Sequence, residues 1–269
     1  WSNTDPYELN SWAVFSEVYW QATDRLKVTV GLRYTEEEKK SRQRTVYLNL
    51  LADPFDDDNG YDNFQGNWDE VTGRFNLSYE YSDDVLLFGT LSRSYKSGGF
   101  NPIAAESPLL DPALGGNPDF AYFEPEYINA LELGIKAQML DNRMQANVAW
   151  FYYDFENLQA SKITNQTAIN ENVDSSAIQG AEAELIWVPN LHWRFNSSLA
   201  WLNTEIDKFE SVDPANINKL GTTENIVNGP IANVYVGPDC PGGTSTCDGL
   251  PYDLSGNELS NSPEYSINL

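Results

Sequence analysis

This chain has very few of the residues that most soluble chemistry depends on. It contains one histidine, His192, and two cysteines, Cys240 and Cys247. Cations are also scarce: 16 Lys and Arg stand against 40 Asp and Glu, a net charge of −24. Nucleic-acid binding needs a basic surface to meet phosphates, so that class is excluded. Solvated acidic loops account for the excess charge. The alternative is divalent cations bridging those loops to each other or to anionic lipid headgroups. No apolar run approaches the ~20 residues of a membrane-spanning helix. A helical membrane protein is thereby excluded, but a barrel is not, because half of each of its strands faces water. No signal peptide opens the chain, and it stops at Leu269 inside the strand-like PEYSINL. The sequence is therefore expected to be a piece of a longer protein.

The single histidine argues against an enzyme, since general acid–base and nucleophilic schemes usually pair a nucleophile with an imidazole. His192 follows the predicted turn Pro189-Asn190 and reads as an interfacial polar residue. The cysteines lie in CPGGTSTC, a Gly-, Ser- and Thr-rich loop. A small Cys240–Cys247 disulfide ring is favoured, which fits an oxidising compartment. A metal site would need further ligands nearby, and no metal or cofactor is expected. Asp56-Asp57-Asp58-Asn59-Gly60 lacks the first Asp and the final Glu of an EF-hand.

The chain is rich in strict alternation. In Phe123–Gln159, Leu131, Leu133, Ile135, Ala137 and Met139 alternate with Ala130, Glu132, Gly134, Lys136 and Gln138. Successive side chains of a strand point to opposite faces, so this segment has one greasy face and one small-or-charged face. A soluble sandwich also alternates, but its strands run to about 5–6 residues. Long strands, apolar outside and polar inside, are what a transmembrane β-barrel requires. The abundant Trp and Tyr match aromatic girdles at two membrane interfaces.

The same pattern recurs as a meander of hairpins. Strands are predicted at Ser11–Gln21, from Leu26, at Glu70–Tyr81, at Val85–Lys96, in the two arms of the Phe123–Gln159 hairpin, at Ser176–Val188, at Leu191–Glu205 and from Glu264. Short turns fall at Ala22–Arg25, Ser82–Asp84, Asp141–Arg143 and Pro189-Asn190. Long loops fall around DPFDDDNGYDN and over Gly98–Asp119, Ser161–Val173 and Ile206–Ser262. Short turns at one end and long loops at the other give the asymmetry of an outer-membrane barrel, with the short turns periplasmic. The fold class is all-β: a transmembrane antiparallel barrel, of which residues 1–269 form a part.

Glu132, Lys136, Glu182 and Glu184 fall on the polar parity and are expected to line the lumen. There they would pair with lumen Arg and Lys rather than act as a catalytic carboxylate dyad. Ser94-Tyr95-Lys96-Ser97-Gly98-Gly99-Phe100-Asn101 lacks the order of a phosphate loop. It lies where a strand emerges into a long loop. Tyr95, Lys96, Phe100 and Asn101 are candidate ligand contacts at the outer mouth, and Arg74, on the polar face of a neighbouring strand, is another.

AVFSEVYW, LKVTVGLRYTEE, LFGTLSRSYKSGGFN, FEPEYINALELGIKAQMLDNRMQANVAWFYYDFENLQ, IQGAEAEL and GNELSNSPEYS together resemble TonB-dependent receptors of the Gram-negative outer membrane. They occur in that family's order and cover nearly the whole chain. The resemblance implies a barrel of about twenty-two strands around an N-terminal plug, with this chain in its middle and without the plug or the final strands. It implies active uptake of a scarce solute, with a ferric siderophore or another metal chelate as leading cargo. The implied partners are outer-membrane lipid and, through the plug, the TonB energy-transducing complex. A passive porin-like channel or a structural surface barrel is the alternative.

Overall fold

The computed structural model describes residues 2–45, 62–101, 121–164, 167–211, 226–228, 233–236, 246–247 and 252–269. The architecture is one open antiparallel sheet. Its long strands are β1 (Ser2–Thr23), β2 (Leu26–Thr45), β3 (Asp62–Ser82), β4 (Val85–Lys96), β7 (Glu126–Met139), β8 (Met144–Thr164), β9 (Thr167–Asn190) and β10 (Trp193–Lys208). The short β16 (Tyr265–Asn268) closes the order β1-β2-β3-β4-β7-β8-β9-β10-β16. Every neighbour in this sheet is also next in the chain apart from the short strands of the loops, as a meander demands. No helix among the described residues is long and apolar enough to cross a membrane, and the crossing elements here are strands.

Local chemistry sets the short turns. The Thr23 hydroxyl accepts from the Arg25 and Leu26 amides, the Ser82 hydroxyl from the Asp84 amide, and the Asn190 side chain from the His192 amide. These are side-chain-stabilised turns of the Ser/Thr and Asx kind. Leu140, Asp141 and Asn142 all adopt positive φ. Asp and Asn tolerate that region well and Leu does not.

Two expectations are corrected here. The turn expected at Pro189-Asn190 lies at Leu191-His192, because Asn190 is still paired with Trp193 and uses its side chain to start the turn. The segment Ser161–Val173, expected to be a loop, is strand up to Thr164 and again from Thr167. Its Asn and Thr content reads as loop only when tertiary partners are ignored. The Asn172 side chain bonds the Glu124 backbone and the Asn170 backbone bonds the Asn101 side chain, both far along the chain, and Ile169 and Val173 are buried. The loop expected over Ile206–Ser262 likewise yields its start to β10 and contains β11 (Glu210–Ser211), β12 (Ile226–Asn228), β13 (Asn233–Val236), β14 (Thr246–Cys247) and β15 (Tyr252–Asp253). DPFDDDNG and Cys240 lie outside the described residues, and with them the calcium-like run and the Cys240–Cys247 pairing.

The register puts each parity on one continuous face. One face carries Trp12, Val14, Val18, Trp20, Leu32, Val71, Leu77, Leu91, Leu133, Val148, Trp150, Leu199 and Ile267. These side chains are exposed, Val14 at 65% and Trp20 at 63%. A sheet whose large apolar side chains point out and whose other face is polar has the inside-out pattern of a lipid-facing wall. The apolar band ends abruptly: Leu91, Leu131 and Tyr152 give way to Arg93, Asn129 and Asp154 on the same face. Beyond that level the strands continue. β2 alone has 20 residues, roughly twice what a tilted strand needs to cross a bilayer.

Among the described residues, buried apolar clusters lie above the band. Phe64, Ala121 and Ile169 form one buried cluster with Phe100 packed on it; Val173, Ile206 and Phe209 form another with Leu158, Ala160, Leu254 and Leu259. The sheet splits to reach this layer. β3 stops pairing with β4 at Gly73–Arg93, whereas it stays paired with β2 to Asp62, and β4 stays paired with β7 to Lys96. The β2–β3 arm thus folds over the short pair β5 (Gly99–Phe100) and β6 (Tyr122–Phe123). At Asn157, in left-handed conformation with its carbonyl taken by Asn172, the β8–β9 ladder misses one pair and resumes in the same register, which carries it into the same layer.

Candidate functional site

The polar face is built by glycines as much as by charges. At Gly134 and Gly180 an added Cβ would lie 2.3 Å from the Phe88 ring and 2.6 Å from the Phe151 ring. Each ring lies flat across the glycine of the next strand, which covers exposed backbone and keeps the ring out of the lumen. At Gly31 the open position does something different. Glu17 and Arg74 flank it on the two neighbouring strands and meet above it in a bidentate pair, both hydrogen bonds 2.8 Å. Any side chain at residue 31 would come within 2.9 Å of the Glu17 carboxylate.

Above this pair is a cavity of about 430 Å³ lined by Glu17, Arg33, Thr72, Arg74, Ser92 and Ser94. Arg74 therefore lies where the sequence placed it, on the polar face, but its guanidinium is committed to Glu17. Arg33 stands beside it and uses its Nε on the Thr35 hydroxyl.

At the mouth, Tyr95 and Tyr127 stack at 6.4 Å between ring centroids. They fill the opening where β3 and β4 separate. The Tyr95 hydroxyl donates to Glu37 across that opening, at 3.2 Å. Partial burial, then the Glu37 charge and hydrogen bond, push the Tyr95 phenol up to about 12. Burial, then the Glu70 carboxylate, also raise Tyr127. Because the folded value of Tyr95 lies above its ordinary 10, its contribution to stability is complete below pH 10 and is lost as pH rises toward about 12. In a difference titration at the phenolate absorbance, wild type minus Tyr95→Phe is expected to show one phenol ionising near pH 12; ionisation near 10 would show the Glu37 contact to be absent in solution.

Lys96 is exposed on the polar face, paired with Glu126 in the ladder. Lys39 lies close to it, donates to the Gly98 carbonyl at 2.7 Å and stands 5.2 Å over the Trp68 ring. Burial and the neighbouring Lys96 charge depress its pKa against the opposing pull of Glu37. Phe100 packs among Phe64, Trp68 and Tyr122.

Asn101 is fully buried. Its amide donates to the Ala121 carbonyl, its carbonyl accepts from Gln43, and its side chain both donates to and accepts from the Asn170 backbone at 2.8 and 2.6 Å. It ties the β2–β3 arm, the 98–101 segment and the β8–β9 arm into one layer. Gln43, Lys39, Trp68 and Tyr127 were missed in the sequence. Parity alone could have pointed to Lys39, which shares the polar side of β2 with Lys27 and Arg33.

Glu132, Lys136, Glu182 and Glu184 all fall on the polar face, in rows Glu132–Phe151, Lys136–Asn147–Glu184 and Ala149–Glu182. None of them forms an ion pair among the described residues. The Asn147 amide approaches Glu184 at 3.4 Å, and Lys136 stands 5.4 Å over the Phe88 ring. His192 is an exposed turn residue, and no nucleophile–imidazole pair is formed among the described residues.

The net charge of −24 does not describe this face. On β1, β2, β3, β4 and β7, the described polar-face side chains Lys27, Arg33, Lys39, Arg74, Lys96 and Lys136 match Glu17, Glu37, Glu70, Glu80, Glu126 and Glu132 one for one.

Comparison with known proteins agrees with this geometry. The family model described as TonB dependent receptor-like, beta-barrel, matches residues 2–269. The pesticin receptor of Yersinia pestis is 24% identical over 200 residues, which is 74% of this chain and 27% of that protein. The chain thus spans about a quarter of the length of such curated relatives. Among solved structures, the ferric yersiniabactin uptake receptor of Yersinia pestis superposes with a TM-score of 0.57 at 20% identity, over 74% of this chain and 27% of that one. The siderophore receptor PiuA of Acinetobacter baumannii gives a TM-score of 0.60 at 17% identity, over 97% of this chain and 30% of that one. At such identities these structures establish the fold. With its polar lumen wall, outward apolar band and family match from end to end, the chain belongs to the TonB dependent receptor-like β-barrel family of the Gram-negative outer membrane.

Proposed function

We propose that this chain is part of the barrel of an outer-membrane receptor that takes up a scarce solute by TonB-dependent active transport, with a ferric siderophore as the leading cargo. In this reading residues 1–269 are barrel wall, and a plug elsewhere in the longer protein couples to TonB. The observation that carries it is the whole-chain family match on a wall whose lumen face is polar, charge-balanced and open at the mouth. The ferric yersiniabactin uptake receptor and the siderophore receptor among the similar solved structures support a ferric-chelate cargo. The charge balance of the lumen face removes an objection to an anionic chelate that the overall acidity would raise.

Tyr95, Lys96 and Phe100 are proposed as ligand contacts at the mouth, with Arg74 in the cavity below. Asn101 is proposed to act with them by holding the 98–101 segment in place. Glu132, Lys136, Glu182 and Glu184 are proposed as lumen-lining groups.

The test is uptake of labelled ferric chelates by iron-starved cells making the full-length receptor. Uptake is expected to require both TonB and the membrane potential. Tyr95→Ala and Lys96→Ala are each expected to weaken binding about tenfold, as for loss of one charged or hydrogen-bonded contact. Passive, TonB-independent permeation would instead identify a porin-like channel.

A further inference from the structure

The outward face of the sheet carries a hollow of its own, on the far side from the lumen cavity. At its centre Gly73 lies between Leu32 on β2 and Arg93 on β4. An added Cβ there would come within 2.6 Å of the Gly31 carbonyl and 2.9 Å of the Leu32 side chain, so the floor is bare backbone. The cavity measures about 640 Å³ and spans two rows of the sheet. The lower row is apolar, with Val30, Phe75, Leu91, Leu131 and Tyr152 side by side. The upper row runs Leu32, Gly73, Arg93, Asn129 and Asp154. The hollow therefore sits across the line where the apolar band ends, a level at which a lipid-facing charge costs little.

The two charges of the upper row are held apart. Arg93 stands over the Tyr127 ring, 4.8 Å from its centroid, and one terminal nitrogen donates to the Asn129 side chain at 2.9 Å. A guanidinium carries five N–H donors, and this is the one hydrogen bond the Arg93 side chain makes among the described residues. Asp154 lies beyond Asn129, two strands from Arg93, and has no ion-pair partner among the described residues. With neighbouring strands about 4.8 Å apart, their backbones are roughly 10 Å apart. Glu156, one step above Asp154 on the same face of β8, is approached by the Asn129 amide at 3.4 Å. Asn129 and Tyr127 thus fix the arginine, and Asp154 is left facing outward.

A simple anion does not suit this row, because Arg93 attracts it and Asp154 repels it. A simple cation meets the opposite conflict. A head that carries a phosphate and an ammonium on one short arm places each charge against its complement. The planar fork of arginine matches phosphate oxygens, and a carboxylate accepts from the donors of an ammonium. The apolar row below receives a chain attached to that head. Within a membrane such a chain gains by close packing, since lipid surrounds it in any case, and the bare floor at Gly73 lets it lie against the wall.

We propose that the outward hollow over Gly73 is a binding site for a phospholipid with a phosphoethanolamine head. Arg93 holds the phosphate and Asp154 the ammonium. One acyl chain lies over Gly73, against Leu32, Leu91 and Leu131. The site is on the lipid-facing surface, apart from any path through the lumen. It depends on the place of the barrel in the membrane and not on the cargo, so it stands or falls independently of the transport reading.

Native mass spectrometry of the full-length receptor in detergent tests the site, with phosphatidylethanolamine, phosphatidylglycerol and diacylglycerol of the same acyl chains as probes. The wild type is expected to retain phosphatidylethanolamine about fivefold better than phosphatidylglycerol, the factor of one partly exposed charged contact. Diacylglycerol, which lacks both charges, should be retained least. Arg93→Gln should lower retention of both phospholipids about fivefold. Asp154→Asn should reverse their order, because it removes the partner of the ammonium and the repulsion of the anionic lipid while Arg93 remains. General damage to the fold lowers retention without reversing a preference. Lys40→Gln, on the same face and paired with Glu38, should change nothing. Equal retention of the two phospholipids by the wild type, a wild-type preference for phosphatidylglycerol, or an unchanged order in Asp154→Asn would overturn the site.

Discussion

Asn101→Ala is expected to release the loop layer at the mouth of the barrel while leaving the membrane wall folded. The variant keeps the backbone bonds to Ala121 and Gln43 but strips both side-chain bonds to Asn170. A buried backbone group left without a partner costs about 1–3 kcal/mol. Two such groups on Asn170 give a local loss of about 3 kcal/mol, a large share of the stability of a layer held by two small clusters. Amide exchange measured by mass spectrometry should show lost protection in 98–101 and 168–172 and unchanged protection in 130–138. Unchanged exchange in 168–172 would show that Asn101 does not latch the layer. Ligand affinity should fall with the loss of protection, because Phe100 and Lys96 border the released segment.

The second large effect concerns Gly134. Its substitution by Ala places a methyl group 2.3 Å from the Phe88 ring and 2.9 Å from the Val148 carbonyl. The ring must swing into the lumen, and the ladder to β8 must shift by a few tenths of an ångström. Overpacking of this kind costs about 1–3 kcal/mol. The cost is shared between a ring that can move and a backbone oxygen that cannot. Phe88→Ala should therefore recover part of it, with a coupling of about 1 kcal/mol in a double-mutant cycle read from urea unfolding in lipid. Strictly additive effects would place the strain entirely on the Val148 carbonyl. The displaced ring should also free Lys136 from its support.

The parts of the fold legible in the sequence were those with local causes. Alternation over Leu131–Met139 places Glu132 and Lys136 on the polar face because a strand has a period of two residues. Thr23, Ser82 and Asp141-Asn142 marked turns because their side chains or backbone preferences act within three residues. The Asn- and Thr-rich stretch after Ser161 was illegible for the opposite reason. Its strand character depends on Asn101 and Glu124, which are 69 and 48 residues away. The mouth candidates show the same division. Position near a strand end singled out Tyr95 and Lys96, while the commitments of Arg74 to Glu17, 57 residues away, and of Asn101 to its neighbours could not be read.

The sequence alone determined that this protein is a wall. Composition removed helical spans and nucleic acid, and parity assigned each side chain to one of two faces. Only the tertiary structure decided which charges cancel. Glu17 and Arg74 meet because register brings them to either side of Gly31, and register lays aromatic rings beneath Lys27, Lys39 and Lys136. Net charge is a sum over the chain, but the field met by a solute depends on which few groups share a face, and pairing between strands sets that.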